Sequence, residues 1–270
     1  MNNTKIFIAA LISAAFIPTM ASAASYDFAD LKWSGSPAKS SGFLPSETLQ
    51  KASTASTTSG LGYWNCTGGD VCSSNMDKAN TALGGDLKFT SSGLTVTATA
   101  LFNGATATVV QDHDNGYNAS KSIGAGLGVY HLKGNNSDDN ITAKETLVMS
   151  FANAVALQGF SLRSDGHNTT WNSNSTFTLA VTGADNVVKT FSSLALKGAY
   201  SLSDLTVLNH NQPLVGSKFA FSYGGTKADQ FYLSGMTASA IAAVPEPATY
   251  ALLMVGLGAI GFVARRRRAA

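Results

Sequence analysis

The sequence predicts an all-β protein whose main domain is a β-sandwich of the jelly-roll or immunoglobulin-like kind, followed by a short C-terminal hydrophobic helix. Three observations support this. Short segments alternate apolar and polar residues with a period of two. Turn-forming residues separate these segments. Charged residues make up only 13% of the 270-residue chain, and no long amphipathic helical pattern appears.

The clearest predicted strand is 94–100, where apolar side chains fall on one face and threonines on the other. The turn signals Asn103-Gly104, 183–186 and Gly224-Gly225 end strands. Residues 34–60 are poor in bulky apolar groups and are predicted to form surface loops or a loose arm. The predicted strands are 94–100, 127–132, 146–151, 155–162, 175–181, 187–191, 218–223 and 230–233.

The first 23 residues have the three parts of a secretion signal. Lys5 supplies the charge, 6–17 is an apolar run too short to span a bilayer, and Ala21-Ser22-Ala23 is a small-residue cleavage site. Cleavage is expected after Ala23, through recognition of Ala21 and Ala23. The alternative, a buried helix, would carry a lysine at its start and no polar face.

The C-terminus has a second tripartite pattern. The residues Val244, Pro245, Glu246 and Pro247 precede the uncharged run 250–264 and the arginines 265–268. Two prolines around one glutamate keep the backbone extended and accessible to a protease. The apolar run is near the lower length limit for a membrane helix, and the arginines would hold its end in the cytoplasm. An ordinary C-terminal anchor would leave Pro-Glu-Pro unexplained.

This order of Val-Pro-Glu-Pro, apolar helix and arginine cluster resembles the PEP-CTERM sorting signal. The resemblance implies a Gram-negative bacterium in which an exosortase recognises and removes the tail, as with other hydrophobic tail signals. It also implies a cell-surface or extracellular-matrix protein associated with exopolysaccharide and biofilm. The four motif residues would be substrate positions with no catalytic role.

The chain therefore divides into a signal peptide (1–23), an exported β-domain (24–243) and a sorting signal with a membrane helix (244–268). The expected partners are the secretion translocon, the exosortase, the inner membrane before processing and, as a candidate, exopolysaccharide. Between 24 and 244 there are 13 Lys and Arg against 15 Asp and Glu, a net charge of −2. A nucleic-acid partner therefore has no electrostatic basis.

Cys66 and Cys72 are the two cysteines of the chain and flank a Gly-Gly turn. An even count in an exported protein predicts a local disulfide. Free thiols and a metal site are the alternatives, although two thiols without neighbouring Cys or His make a poor zinc site.

An oxygen-rich stretch formed by Asp138, Asp139 and Asn140, with Glu145 just beyond, suggests Ca²⁺, which binds six to eight hard oxygen ligands. The alternative is a metal-free turn, which the same residue types favour.

No catalytic sequence motif is present, so we expect a non-enzymatic protein. Two other functions stay open. A calcium- or carbohydrate-binding module could stack sugars on exposed aromatics such as Tyr63, Trp64, Trp171 or Tyr232. A secreted hydrolase would need a carboxylate pair in a cleft.

Overall fold

The computed structural model describes residues 23–29, 48–50, 64–65, 71–72, 85–112, 124–131, 139–224, 229–241 and 247–268. Within them lie fourteen strands and two helices. The strands are β1 (Ala24–Asp27), β2 (Thr48–Gln50), β3 (Trp64–Asn65), β4 (Val71–Cys72), β5 (Leu87–Ser91), β6 (Leu94–Phe102), β7 (Ala105–Asp112), β8 (Gly126–Tyr130), β9 (Glu145–Ser164), β10 (Thr176–Thr182), β11 (Val188–Ala195), β12 (Ala199–Tyr200), β13 (Leu214–Tyr223) and β14 (Phe231–Ala240). The helices are α1 (Leu202–Leu208) and α2 (Pro247–Arg268).

The all-β prediction is confirmed for the main domain. Every strand belongs to one hydrogen-bonded network, with the order β11-β10-β13-β9-β14-β8-β7-β6-β5-β2 along its main path. The jelly-roll or immunoglobulin-like sandwich stays a prediction. The described residues between 23 and 240 belong to one compact unit, and helix α2 belongs to another.

Strand β9 is the centre of the sheet. Its first half pairs with β6 and β13, and its second half pairs with β13 and β14. Since β14, β8, β7 and β6 also follow one another in the sheet, the β6–β9 pairing closes this series of strands into a ring. The sequence predicts two separate strands at 146–151 and 155–162. In the structure both belong to the single 20-residue strand β9.

The period-two alternation predicts the core correctly. In β6 the residues Val96, Ala98 and Ala100 are buried while the threonines between them are partly exposed. The same pattern buries Phe177, Leu179 and Val181 of β10. Burying such apolar faces, at about 25 cal/mol per Å², is the main favourable contribution to folding.

The Asn103-Gly104 turn joins β6 to β7 as predicted. Asn103 has a φ of 50° and Gly104 a φ of 80°. Positive φ at both central residues is the type I′ geometry, which Asn-Gly favours and which matches the twist of the flanking strands. Phe102 consequently pairs with Ala105, which sets the register of the hairpin.

Some elements were not predicted. Strands β1, β5, β7 and β12 fall outside the predicted segments, as does the helix α1. Residues 34–60, predicted as loops, contain β2, which pairs with β5, and the rest of that stretch lies outside the described residues. Helix α1 has a capping box in which Ser201 accepts a bond from the Asp204 amide and the Asp204 side chain accepts from the Ser201 amide.

Helix α2 includes the predicted apolar run and begins at Pro247, where proline suits the first helical position. Met254, Val255 and Ile260 are 68–70% exposed, and Arg265, Arg266 and Arg267 are exposed at its end. Among the described residues, no helix meets both the length and the hydropathy needed to cross a membrane.

Candidate functional site

Several predicted site residues lie outside the described part of the chain. These are Ala21, Cys66, Asp138, Val244, Pro245 and Glu246. Ala23 immediately precedes β1, Pro247 opens α2 and Cys72 ends β4. The disulfide and both cleavage sites therefore stay predictions.

The structure does not bring Glu145 into contact with Asn140. Glu145 is buried at the start of β9, where its Oε1 lies 2.6 Å from Nδ1 of His131. Its Oε2 accepts hydrogen bonds from the amide and the hydroxyl of Thr142, at 2.6 and 3.0 Å. The His131 ring in turn stacks on Phe102, with centroids 3.6 Å apart. Both Glu145 oxygens therefore have protein partners.

Asp139 is bonded instead to Tyr232, whose hydroxyl donates to its Oδ1 at 2.7 Å. Burial raises the pKa of Asp139 to about 6, although the hydrogen bond from Tyr232 lowers it. The negative charges of Asp112, at the end of β7, and Asp165, after β9, add to the rise. We call Asp112, Asp139 and Asp165 the acidic cluster. His167 is its nearby basic group, with Nε2 2.8 Å from Oδ2 of Asp112.

Asn140 connects the acidic cluster to the rim of a neighbouring groove. Its side chain is fully buried, and its Nδ2 donates to Oδ1 of Asp165 at 3.0 Å and to Oε1 of Gln230 at 2.7 Å. Its Oδ1 is buried and accepts no hydrogen bond. A buried acceptor without a partner costs about 1–3 kcal/mol, so a donor or cation there would relieve a real penalty.

The described residues contain no group of three or more His, Cys, Asp or Glu side chains placed to hold a metal ion. The acidic cluster therefore does not form a preformed coordination shell. Calcium binding stays a prediction; of its four predicted ligands Asp139, Asn140 and Glu145 are described, and Glu145 is paired with His131 and Thr142.

The groove beside Asn140 is open to solvent, with a volume of about 680 Å³. We call it the Trp171 groove. Its polar lining consists mainly of carboxylate, amide and hydroxyl groups, and its aromatic lining is Trp171 and Tyr223. The residues that line it include Asp165, Asn168, Trp171, Asn172, Asp229 and Gln230.

The loop that follows β9 is held in place by its own hydrogen bonds. The Ser164 amide donates to the carbonyl of Asn168, and the His167 amide donates to the carbonyl of Ser164, both at 2.8 Å. Oδ1 of Asn168 accepts from the Ser164 hydroxyl and the Thr170 amide, at 2.9 and 2.8 Å. The loop carrying Trp171 is thereby ordered before any ligand arrives.

The carboxylate of Asp229, in the segment before β14, is held by two hydrogen bonds from Asn172. The backbone amide of Asn172 donates to Oδ2 at 2.5 Å and its Nδ2 donates to Oδ1 at 2.7 Å. Burial raises the pKa of Asp229, but the bonds from Asn172 and Ser175 outweigh it, so the pKa lies below its ordinary value. The carboxylate is thus held ionised in a fixed orientation.

Sequence patterns identify only part of this site. Asp139, Asn140 and Trp171 were already candidates, whereas the partners Asp112, Asp165, His167, Asp229 and Gln230 come from distant positions. Asp229 and Gln230 directly precede β14, and the Asn, Asp and Gly at 165–168 signal a turn without indicating which residues lie next to it.

The PEP-CTERM protein-sorting motif matches residues 243–268 of the chain. No match was found among curated proteins or among solved structures. The motif covers the Val-Pro-Glu-Pro segment and the whole of α2. It is the signal of an exported cell-envelope protein sorted by an exosortase, and the likeness is limited to this tail.

Proposed function

Because the chain ends in a PEP-CTERM protein-sorting motif, we propose that it is a non-enzymatic surface or matrix protein of a Gram-negative bacterium, cleaved by an exosortase at Pro245-Glu246-Pro247. The domain 24–243 is the exported product. It is retained in, or released to, an exopolysaccharide layer and contributes to biofilm. The observation that carries the proposal is the motif match at 243–268.

The composition of α2 supports transient anchoring. Exposed apolar side chains such as Met254 and Ile260 are costly in water, and the bilayer would cover them until cleavage. The arginines after residue 264 would keep the C-terminal end on the cytoplasmic side. Once the tail is removed, the mature domain has a net negative charge and no longer carries this apolar segment.

The proposal is tested in the native host with an epitope inserted in an exposed turn, at Ala184-Asp185 between β10 and β11. Wild type should appear in the surface fraction as a shortened product. The variant Glu246→Ala, or deletion of the exosortase gene, should leave the full-length chain in the inner membrane. Surface delivery of the shortened product in both backgrounds would contradict the proposal. Thr249→Ser is the matched control, because it alters the tail outside Pro-Glu-Pro.

Calcium binding is the second candidate function, and the unpaired Oδ1 of Asn140 favours it. We propose that Ca²⁺ would draw the acidic cluster together around this oxygen, which differs from the sequence-based set because Glu145 is already paired. A cation would also offset the mutual repulsion of Asp112, Asp139 and Asp165.

A further inference from the structure

We propose that the Trp171 groove binds an uncharged polysaccharide, with Trp171 as the stacking platform for a sugar ring. This inference deepens the proposed function, since it rests on the domain reaching an extracellular polysaccharide layer. The groove volume of about 680 Å³ falls within the roughly 300–1,000 Å³ typical of ligand sites.

Trp171 is suited to stacking because part of it packs against the hydrophobic core while part lines the groove. An indole supported in this way loses little conformational entropy on binding and offers a flat apolar surface. Trp171 also lines a second open groove of about 610 Å³, which shares Thr170 and Asn172 with the first. Recesses that share one aromatic residue suit an extended chain better than a single small molecule.

The polar residues around Trp171 suit hydroxyl groups. A sugar ring is apolar on its C–H faces and carries hydroxyls at its edge, so it requires a flat apolar surface surrounded by donors and acceptors. Asp165 and Gln230 are both oriented by the buried Asn140, and Asp229 is oriented by Asn172. These side chains therefore lose little conformational entropy when a ligand binds.

Charge decides which polysaccharide is expected. Among the described residues, those that line the Trp171 groove include Asp165 and Asp229 and no lysine or arginine, and Asp139 interacts electrostatically with Asp165. In the second groove Lys197 is paired with Asp204 at 2.8 Å. A uronate-rich polyanion would meet uncompensated negative charge, so the occupant is neutral.

The same residues favour binding over cleavage. A glycosidase needs one protonated carboxyl as general acid beside a second carboxylate. Asp229 has both oxygens bonded to Asn172 and a lowered pKa, so it is poorly suited to donate a proton at neutral pH. Asp139, whose pKa is raised, is not among the residues that line the groove.

The experiment is affinity electrophoresis of the full chain in detergent, through gels containing dextran, hydroxyethyl cellulose, galactomannan or the neutral exopolysaccharide of the producing bacterium. Alginate serves as the polyanionic probe. Because the uncleaved chain is used, the result does not depend on exosortase processing. Retardation is expected in at least one neutral gel and not in alginate.

Matched variants identify the site. Trp171→Ala should weaken binding at least about tenfold, equivalent to about 1.4 kcal/mol, whereas Trp171→Phe should retain most of it. Asp229→Asn should also weaken binding, while Asp185→Asn, which removes a charge from the exposed β10–β11 turn, should not. Thermal melts of each variant confirm that the fold is intact.

The inference would be overturned by no retardation in any neutral gel, by retardation in alginate, or by equal retardation of folded wild type and Trp171→Ala. Release of new reducing ends from a bound probe would also overturn it, since the groove would then be catalytic. None of these results would bear on tail processing, which is measured separately.

Discussion

Asn172 binds both oxygens of the Asp229 carboxylate, one through its backbone amide at 2.5 Å and one through its side chain at 2.7 Å. This pair joins the loop after β9 to the segment before β14, which are 57 positions apart in the chain. Two charge-assisted bonds fix the relative position of the two walls of the Trp171 groove.

Replacing Asp229 by alanine should lower the free energy of unfolding by about 1 kcal/mol at pH 7, the net value of a typical hydrogen bond. The lowered pKa means that this contribution is present above pH 3.8 and is lost as the pH falls through the folded-state pKa. Urea unfolding of wild type and Asp229→Ala at pH 7 and at acid pH measures it. An equal difference at both pH values would contradict the assignment.

The effect of Asp139 on stability should have the opposite pH dependence to that of Asp229. Its pKa of about 6 exceeds the ordinary 3.8, so the folded state favours the protonated form. Its stabilising effect is complete below pH 3.8 and is lost as the pH rises to about 6, by a total on the order of 3 kcal/mol. Asp139→Asn keeps an acceptor for Tyr232 and removes the charge. In chelator, this variant should exceed wild type in stability at pH 7 and match it near pH 4, and a wild type that is more stable at both would refute the prediction.

Calcium should stabilise the domain if Asn140 and the acidic cluster bind it. At a hundred times the dissociation constant the gain is about 2.7 kcal/mol, visible as a rise in melting temperature relative to chelator. Asp139→Ala and Asp165→Ala should abolish that rise. Glu145→Ala should lower stability by breaking its contacts with His131 and Thr142 but keep the calcium response. Identical melting curves of wild type with calcium and with chelator would contradict calcium binding and support the alternative, a metal-free turn.

The predicted disulfide between Cys66 and Cys72 closes a small loop, worth roughly 2–3 kcal/mol in the loop-entropy treatment. Cys66→Ser with Cys72→Ser should therefore lower the melting temperature while preserving the β-sheet signal in circular dichroism. Alkylation of the unreduced, denatured wild type checks the bond directly. Labelling of both thiols would show that they are free.

Much of the sheet could be predicted because the alternation of apolar and polar residues and the residue preferences of turns depend only on residues adjacent in the sequence. Val96 to Ala100 and the Asn103-Gly104 turn are examples. Strand β7 was not predicted because its last six residues, Ala-Thr-Val-Val-Gln-Asp, do not alternate apolar and polar side chains. All six are buried in the structure. Helix α1 is too short for helical periodicity to stand out.

The candidate site was less accessible to sequence reasoning because its contacts are long-range. Asn140 reaches Gln230 across 90 positions, and Asp139 reaches Tyr232 across 93. Proximity in sequence also suggested Glu145 as a partner of Asn140. Glu145 is five residues from Asn140, yet the turn at Thr142 and the start of β9 direct its carboxylate to His131.

The proposed removal of the C-terminal tail by an exosortase is tested by the intact mass of the surface-associated protein from the native host. We expect a chain that begins near Ala24 and lacks the arginines 265–268. A surface form that retains those four arginines would contradict it.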